Sequence, residues 1–207
     1  MADKFMQIVL TPAVQRAEDK YFGKHQVVEH AAETDELTPD EADFIASRDS
    51  FYMATVSETG WPYVQHRGGP TGFVKVLKPG LLGFADFKGN RQLISTGNLA
   101  VTDRVALFMM DYPRRRRLKL LGHAHVLDAR EHAELVVQLA PEYAEQGRAA
   151  SSNPNCFLRL ELPAIHRAPL HSARSREIRR VAQGPYRRIG GYSRRVRGFA
   201  EVADYRG

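Results

Sequence analysis

A single cysteine, Cys156, occurs in 207 residues, which excludes an internal disulfide framework and a zinc site built from cysteines. No run comes near the roughly 20 apolar residues that a membrane helix requires, and the first residues lack the basic-then-apolar order of a secretory signal. These gaps lead to the expectation of a cytoplasmic protein with no membrane partner. Walker loop, GxGxxG fingerprint and internal repeat are missing as well, which removes the common nucleotide-binding and solenoid readings. Lysine is absent from the last part of the chain: residues 148–207 carry 13 Arg, no Lys and four acids, a net of +9, against 17 Lys and Arg and 20 Asp and Glu, a net of −3, before them. The basic balance of the whole therefore belongs to a tail.

What is present is a short-strand pattern. "TPAVQRAEDKYF" (11–22) and "TPDEADFIASR" (38–48) each open with Thr and Pro, a capping residue followed by a residue suited to the first helical turn; Thr38 and Glu41 have capping-box spacing. "FYMATVS" (51–57), "WPYVQHR" (61–67), "GFVKVL" (72–77), "LLGFADF" (81–87), "RVALFMMDY" (104–112) and "RRLKLLGHAHVLD" (116–128) read as six strands, most of them parted by "ETG", "GGPT" and "KPG". Helices are expected at 90–99 and 129–146. Few crossover helices and many hairpin signals predict a mainly β protein with flanking helices (α+β), built as a meander of hairpins closing into a small six-stranded antiparallel barrel. The expected divisions are 1–50, a helical segment; 51–147, the barrel with its following helix; and 148–207, the arginine-rich tail.

The stretch "QHRGGPTGFVKVL" (65–77) places Arg67 and Lys75 on either side of a glycine-rich turn. A hairpin would bring these groups together, and Lys88, Asn90 and Arg91 precede a helix whose free N–H groups favour an anion. Arginine offers a bidentate fork and lysine a point charge, so the set could cradle a phosphate, with the glycines letting backbone approach a flat ring. The plainer alternative is a turn flanked by solvated strand-end cations. His66 is a candidate proton donor or ring contact. His123 and His125 share a strand face but have no third ligand nearby in sequence, so no metal is expected.

The run from "FYMATVSETGWPYVQHRGGPTGFVKVL" through "LGFADFKGNRQLISTGNL" to "DRVALFMMDYPRRRRLKLLGHAHV" resembles the pyridoxamine 5′-phosphate oxidase-related flavoproteins over roughly residues 38–140. Within them it is most similar to the predicted flavin-nucleotide-binding proteins. The resemblance implies the FMN-binding split-barrel fold, a homodimer with FMN at the interface, and oxidoreductase chemistry on a small-molecule substrate or electron donor. It places Arg67 and Lys75 at the flavin phosphate and ring edge, Val74 beside the ring, Ala85 and Asp86 on the next strand's flavin contacts, and Lys88, Asn90 and Arg91 on the phosphate-side turn. Arg116 and Arg117 fall where the partner subunit reaches the flavin. Strand alternation lets only every second arginine of 114–117 face one site. No catalytic residue is assigned.

The C-terminal segment that marks true pyridoxamine phosphate oxidases is not found, so that substrate is not expected. In the resembled subgroup a strand ending in a motif like "FDWNCPQ" should follow the last helix, whereas this chain reads "CFLRLELPAIHRAPL" (156–170). Degenerate codons for that string, read one base later, yield the motif. The tail from about residue 148 is therefore expected to be off-frame or poorly ordered. Two other functional classes follow from the sequence: a flavin or haem carrier or sensor without turnover, and a nucleic-acid binder acting through the tail arginines, which has charge alone behind it.

Overall fold

A computed structural model describes residues 3–29, 33–86, 92–141 and 156–169. Three helices lead the chain: α1 (Asp3–Val9), α2 (Pro12–Phe22) and α3 (Pro39–Ala46). Thr11 caps α2 by accepting the N–H of Val14, and Gly23 closes it in the left-handed conformation. The expected capping box of α3 is formed: Thr38 accepts from the Glu41 N–H while the Glu41 carboxylate accepts from the Thr38 N–H. These reciprocal bonds satisfy donors that the first turn leaves open.

Seven strands follow, β1 (Ser50–Val56), β2 (Pro62–Gly68), β3 (Lys75–Lys78), β4 (Leu81–Asp86), β5 (Arg104–Asp111), β6 (Arg116–Asp128) and β7 (Cys156–Pro169), with α4 (Ile94–Val101) between β4 and β5 and α5 (Ala133–Leu139) after β6. They form one antiparallel sheet in the order β2-β1-β5-β6-β7-β4-β3. The expected hairpins β1–β2, β3–β4 and β5–β6 are present. Two expectations are corrected. The sheet has seven strands, not six, and it is no simple meander, because β7 lies between β6 and β4.

That insertion also corrects the expectation of a poorly packed tail for residues 156–169. Its alternation drives it: Leu158, Leu160 and Leu162 are almost completely buried, and so are Phe157 and Ile165. Each fully buried leucine contributes about 2 kcal/mol of transfer free energy, enough to hold a segment whose main-chain groups also pair on both sides. Residues 170–207 lie outside the described residues.

The buried face of the sheet encloses Phe51, Met53, Leu82, Phe84, Leu107, Met109, Leu118 and Leu120. Phe51 stacks on Phe73 at 5.8 Å and meets Phe84 edge-on at 5.2 Å. A second, smaller cluster joins Ala85 and Phe157 to Leu139 and Ala140, so α5 covers the other side of β4 and β7. The sheet curls enough to bring the edge strand β2 within ion-pair reach of β4, since Arg67 is paired with Asp86. Near the N-terminus, one carboxylate ties distant segments together. Asp35 accepts the N–H groups of Lys4 (3.2 Å), Phe5 (3.0 Å) and Ile165 (3.1 Å), pinning α1 to β7.

Candidate functional site

Arg67 and its surroundings decide what the expected phosphate cradle looks like. β2 alternates, so Gln65 and Arg67 turn to the buried side and His66 to the opposite one. Arg67 stands across from Phe51 of β1, its side chain is only 9% exposed, and its guanidinium carbon lies 5.7 Å from the Phe84 ring centroid. Nη1 donates to Oδ1 of Asp86. Nε is shielded from solvent and has no partner among the described residues. A buried guanidinium N–H without an acceptor is uncommon and costs stability. The arrangement has room in its chemistry for one more anionic or carbonyl oxygen.

The remaining sequence-predicted residues divide. Lys75 begins β3 opposite Gly83, half-buried. Val74 is 2% exposed and belongs to the main core, so its side chain is a packing group and its backbone is what remains for a ligand. Ala85 and Asp86 point to opposite faces of β4: Ala85 packs with Leu139 and Phe157, and Asp86 joins Arg67. Lys88, Asn90 and Arg91 lie outside the described residues. The helix expected from residue 90 begins at Ile94, after Leu93 in the left-handed conformation. Among the described residues, then, Arg67, Asp86 and Phe84 come together directly; Phe84 was not anticipated, although its alternation with Asp86 in "LGFADF" was the available signal.

Arg116 and Arg117 leave β6 on opposite faces, as alternation requires. The Arg116 guanidinium lies 5.4 Å from the Phe44 ring centroid, which it shares with Arg48 at 4.9 Å. Arg48 in turn reaches Asp111 at 3.2 Å and the Met110 carbonyl at 2.9 Å. Backbone and side-chain hydrogen bonds from Arg114, with Arg48 nearby, hold the Asp111 carboxyl below its ordinary range. Arg116 thus faces a local aromatic and cation cluster, while Arg117 is on the outer side of the sheet, its Nε without a partner among the described residues.

The turn glycines serve the chain's own packing. Gly72 has φ +77°, and a Cβ there would sit 2.9 Å from the Ala46 carbonyl oxygen; a Cβ on Gly69 would sit 2.7 Å from the Phe73 ring. The close approach expected for a flat ligand ring is taken up at these two positions by Ala46 and Phe73. His66 meets Tyr52 edge-on at 5.4 Å on the outer face, so within one subunit it is on the other side of the sheet from Arg67. His123 Nδ1 pairs with Asp103 at 3.0 Å. A cavity of about 650 Å³ runs between α4 and the β6–β7 pair, past Leu99, His125, Arg159 and Glu161. Of the residues singled out in the sequence its lining includes only His125, whereas the Arg67–Asp86 pair combines a buried ion pair with an Nε–H that has no acceptor among the described residues, which is more specific chemistry than an open groove.

A family profile described as Pyridoxamine 5′-phosphate oxidase matches residues 37–162, more than half of the chain. The chain belongs to the pyridoxamine 5′-phosphate oxidase-related family. Solved structures similar to this family member include HupZ of Group A Streptococcus, 16% identical, covering 64% of this chain and 94% of that one with a TM-score of 0.49. A candidate pyridoxamine 5′-phosphate oxidase from Lactobacillus delbrueckii is 22% identical over 63% of this chain and 93% of its own, with a TM-score of 0.46. An F420 reductase is 16% identical over 62% and 98%, with a TM-score of 0.44. No curated protein matches the chain. Among the described residues no helix is long and apolar enough to cross a membrane.

Proposed function

We propose that this member of the pyridoxamine 5′-phosphate oxidase-related family is an FMN-dependent oxidoreductase that acts as a homodimer on a small-molecule substrate. The observation that carries the reading is the Arg67 guanidinium, nine-tenths buried beside Asp86 with one N–H lacking an acceptor among the described residues. A phosphate oxygen would supply that acceptor, and Lys75 on the neighbouring hairpin would add charge. These residues fit the phosphate end of FMN, with Lys88, Asn90 and Arg91 proposed to complete the cradle. Bound FMN would supply the hydride and electron transfer. The protein's part is then to hold the phosphate, to exclude water with Phe84 and the core behind it, and to set the ring against Val74 backbone and Ala85.

The dimer reading draws on the outer face of β1, β2 and β5. Tyr52 and Val56 are each 39% exposed and Val64 61%, forming a largely apolar surface on strands that are paired edge to edge. A second copy would cover it and carry Arg117 toward the first copy's flavin, which would give that outward cation an anionic partner.

The first experiment is the visible spectrum of the purified protein, with the released chromophore identified by mass and the oligomer by light scattering. A two-band yellow spectrum, FMN bound stoichiometrically and a dimer are expected. A colourless monomer that also refuses added FMN refutes the proposal. Bound flavin that no reductant or acceptor turns over would identify a non-catalytic flavin carrier on the same fold.

A further inference from the structure

The outer face of β6 and β7 carries a second concentration of positive charge, which overlaps the flavin reading at Arg117 alone. Arg117 and Lys119 are two residues apart on one strand and therefore share a face. Lys119 stands directly opposite His166 of β7. Phe5 of α1 stacks on the His166 ring at 5.0 Å with an interplanar angle of 21°. The result is three nitrogen bases under a partial roof, with Lys119 and His166 half-buried. Cross-strand like charges are ordinarily avoided because they repel.

No carboxylate among the described residues pairs with any of the three. On α1's side, the Asp35 carboxylate is committed to the backbone amides of Lys4, Phe5 and Ile165. Arg117 Nε is in addition shielded from water and has no acceptor among the described residues. The mutual proximity registers in both titrating groups. Burial and then Arg117 lower the Lys119 pKa, and burial, then Lys119 and Arg117, lower that of His166. A cluster that repels itself, carries an orphaned buried N–H and is walled by an aromatic ring is a local conflict, and such conflicts concentrate at functional sites.

We propose that Arg117, Lys119 and His166 form a binding site for a small oxyanion, a phosphate or carboxylate group, roofed by Phe5. Arg117 supplies the fork, Lys119 the point charge, and His166 an N–H donated in its protonated form. The site shares Arg117 with the flavin reading but does not require flavin. Its anion can come from two sources, the phosphate of a partner copy's FMN or a separate anionic small molecule such as a substrate.

The probe is inorganic phosphate, titrated into the full-length protein against chloride at matched ionic strength while the His166 ring proton is followed by NMR, assigned through its loss in His166→Gln. Phosphate is expected to raise the His166 pKa by about one unit at saturation, as a nearby opposite charge does. Lys119→Gln, which relieves repulsion and so keeps the fold, is expected to weaken phosphate about tenfold, the loss of one charge-assisted bond. A His166 titration that phosphate leaves unmoved overturns the proposal, as does a folded Lys119→Gln protein that binds phosphate as tightly as the wild type. Repeating the titration on FMN-saturated protein assigns the source: a lost response means that the flavin phosphate occupies the site, and a retained one means a separate anion. If the protein takes no FMN at all, the flavin reading fails while the phosphate response still stands on its own.

Discussion

Replacing Asp86 with Asn separates a structural tie from a ligand site, because it removes one charge and almost no volume. Arg67 is 9% exposed and Asp86 22%. Removing one partner of a fully buried ion pair costs about 3–5 kcal/mol, and the partial exposure of Asp86 brings the expected loss for Asp86→Asn to about 2–3 kcal/mol. In a domain of this size each kcal/mol corresponds to about 2–4 °C, so the ligand-free melting temperature should fall by roughly 5–10 °C. A cycle with Arg67→Gln isolates the pair from the other contacts of Asp86, and a coupling of about 2 kcal/mol is expected. FMN adds the second arm. If its phosphate meets the Arg67 guanidinium, it restores the missing negative charge, so saturating FMN should raise the melting temperature of Asp86→Asn by more than that of the wild type. Thermal melts with and without FMN give the temperature shifts, and urea melts of the four proteins of the cycle give the coupling. A coupling near zero refutes the buried-pair argument, and equal FMN stabilisation in the two proteins refutes Arg67 as a phosphate ligand.

Three further outcomes are expected. Leu160→Ala, at a position with no exposure between β6 and β4, should cost about 3 kcal/mol; a chain ending at residue 169 should still unfold cooperatively and one ending at residue 147 should not, and a cooperative 147-residue chain would disprove the role given to β7. The pKa of His166 is lower in the folded chain than its ordinary value of 6.5, so the unfolded chain binds that proton more readily: stability should decline as pH falls through about 6.5 toward the folded value, and a His166→Gln protein with an unchanged pH slope would contradict this. Sequencing the coding strand for residues 148–175 tests the frame hypothesis; codons that read one base later as Phe-Asp-Trp-Asn-Cys-Pro-Gln are expected, and codons that cannot do so would end it.

Local features were legible in the sequence, and partners distant in sequence were not. Turn residues and alternation located β1, β2, β4, β5 and β6 to within a residue or two, and Thr38 with Glu41 fixed the start of α3. β3 came out shorter than its apolar run, because Gly72 adopts a left-handed conformation and Phe73 and Val74 are spent in the core. α1 was missed, since seven residues give little periodicity and its docking rests on Asp35 and Phe5. β7 is visible as the alternation of "FLRLEL", a pattern that the absence of the "FDWNCPQ"-like motif masks. For the candidate site, Arg67 and Asp86 were both singled out, yet nothing in their spacing announces that they pair with each other across the curled sheet. Lys119 and His166 were overlooked, since a cross-strand pairing 47 residues apart in sequence depends on the register of β6 against β7.

The position of β7 bears on how the chain is made. Among the described strands it is the last to leave a ribosome, and it joins β6 to β4. Until it emerges, the nascent chain can build β2-β1-β5-β6 and the β3–β4 hairpin only as separate ladders, each with an open edge. At about 5–20 residues per second, the 69 residues between β4 and β7 leave the exposed edge of β4 waiting for about 3–14 seconds, and the 27 residues between β6 and β7 leave that of β6 waiting for about 1–5 seconds. Those edges offer unpaired main-chain groups to any neighbouring strand. The α1 segment waits longer still, because the Ile165 amide that shares its Asp35 anchor is synthesised 130 residues after that carboxylate. Folding of the complete sheet is therefore a late event, and misassembly during synthesis should concentrate at the two edges that β7 eventually closes.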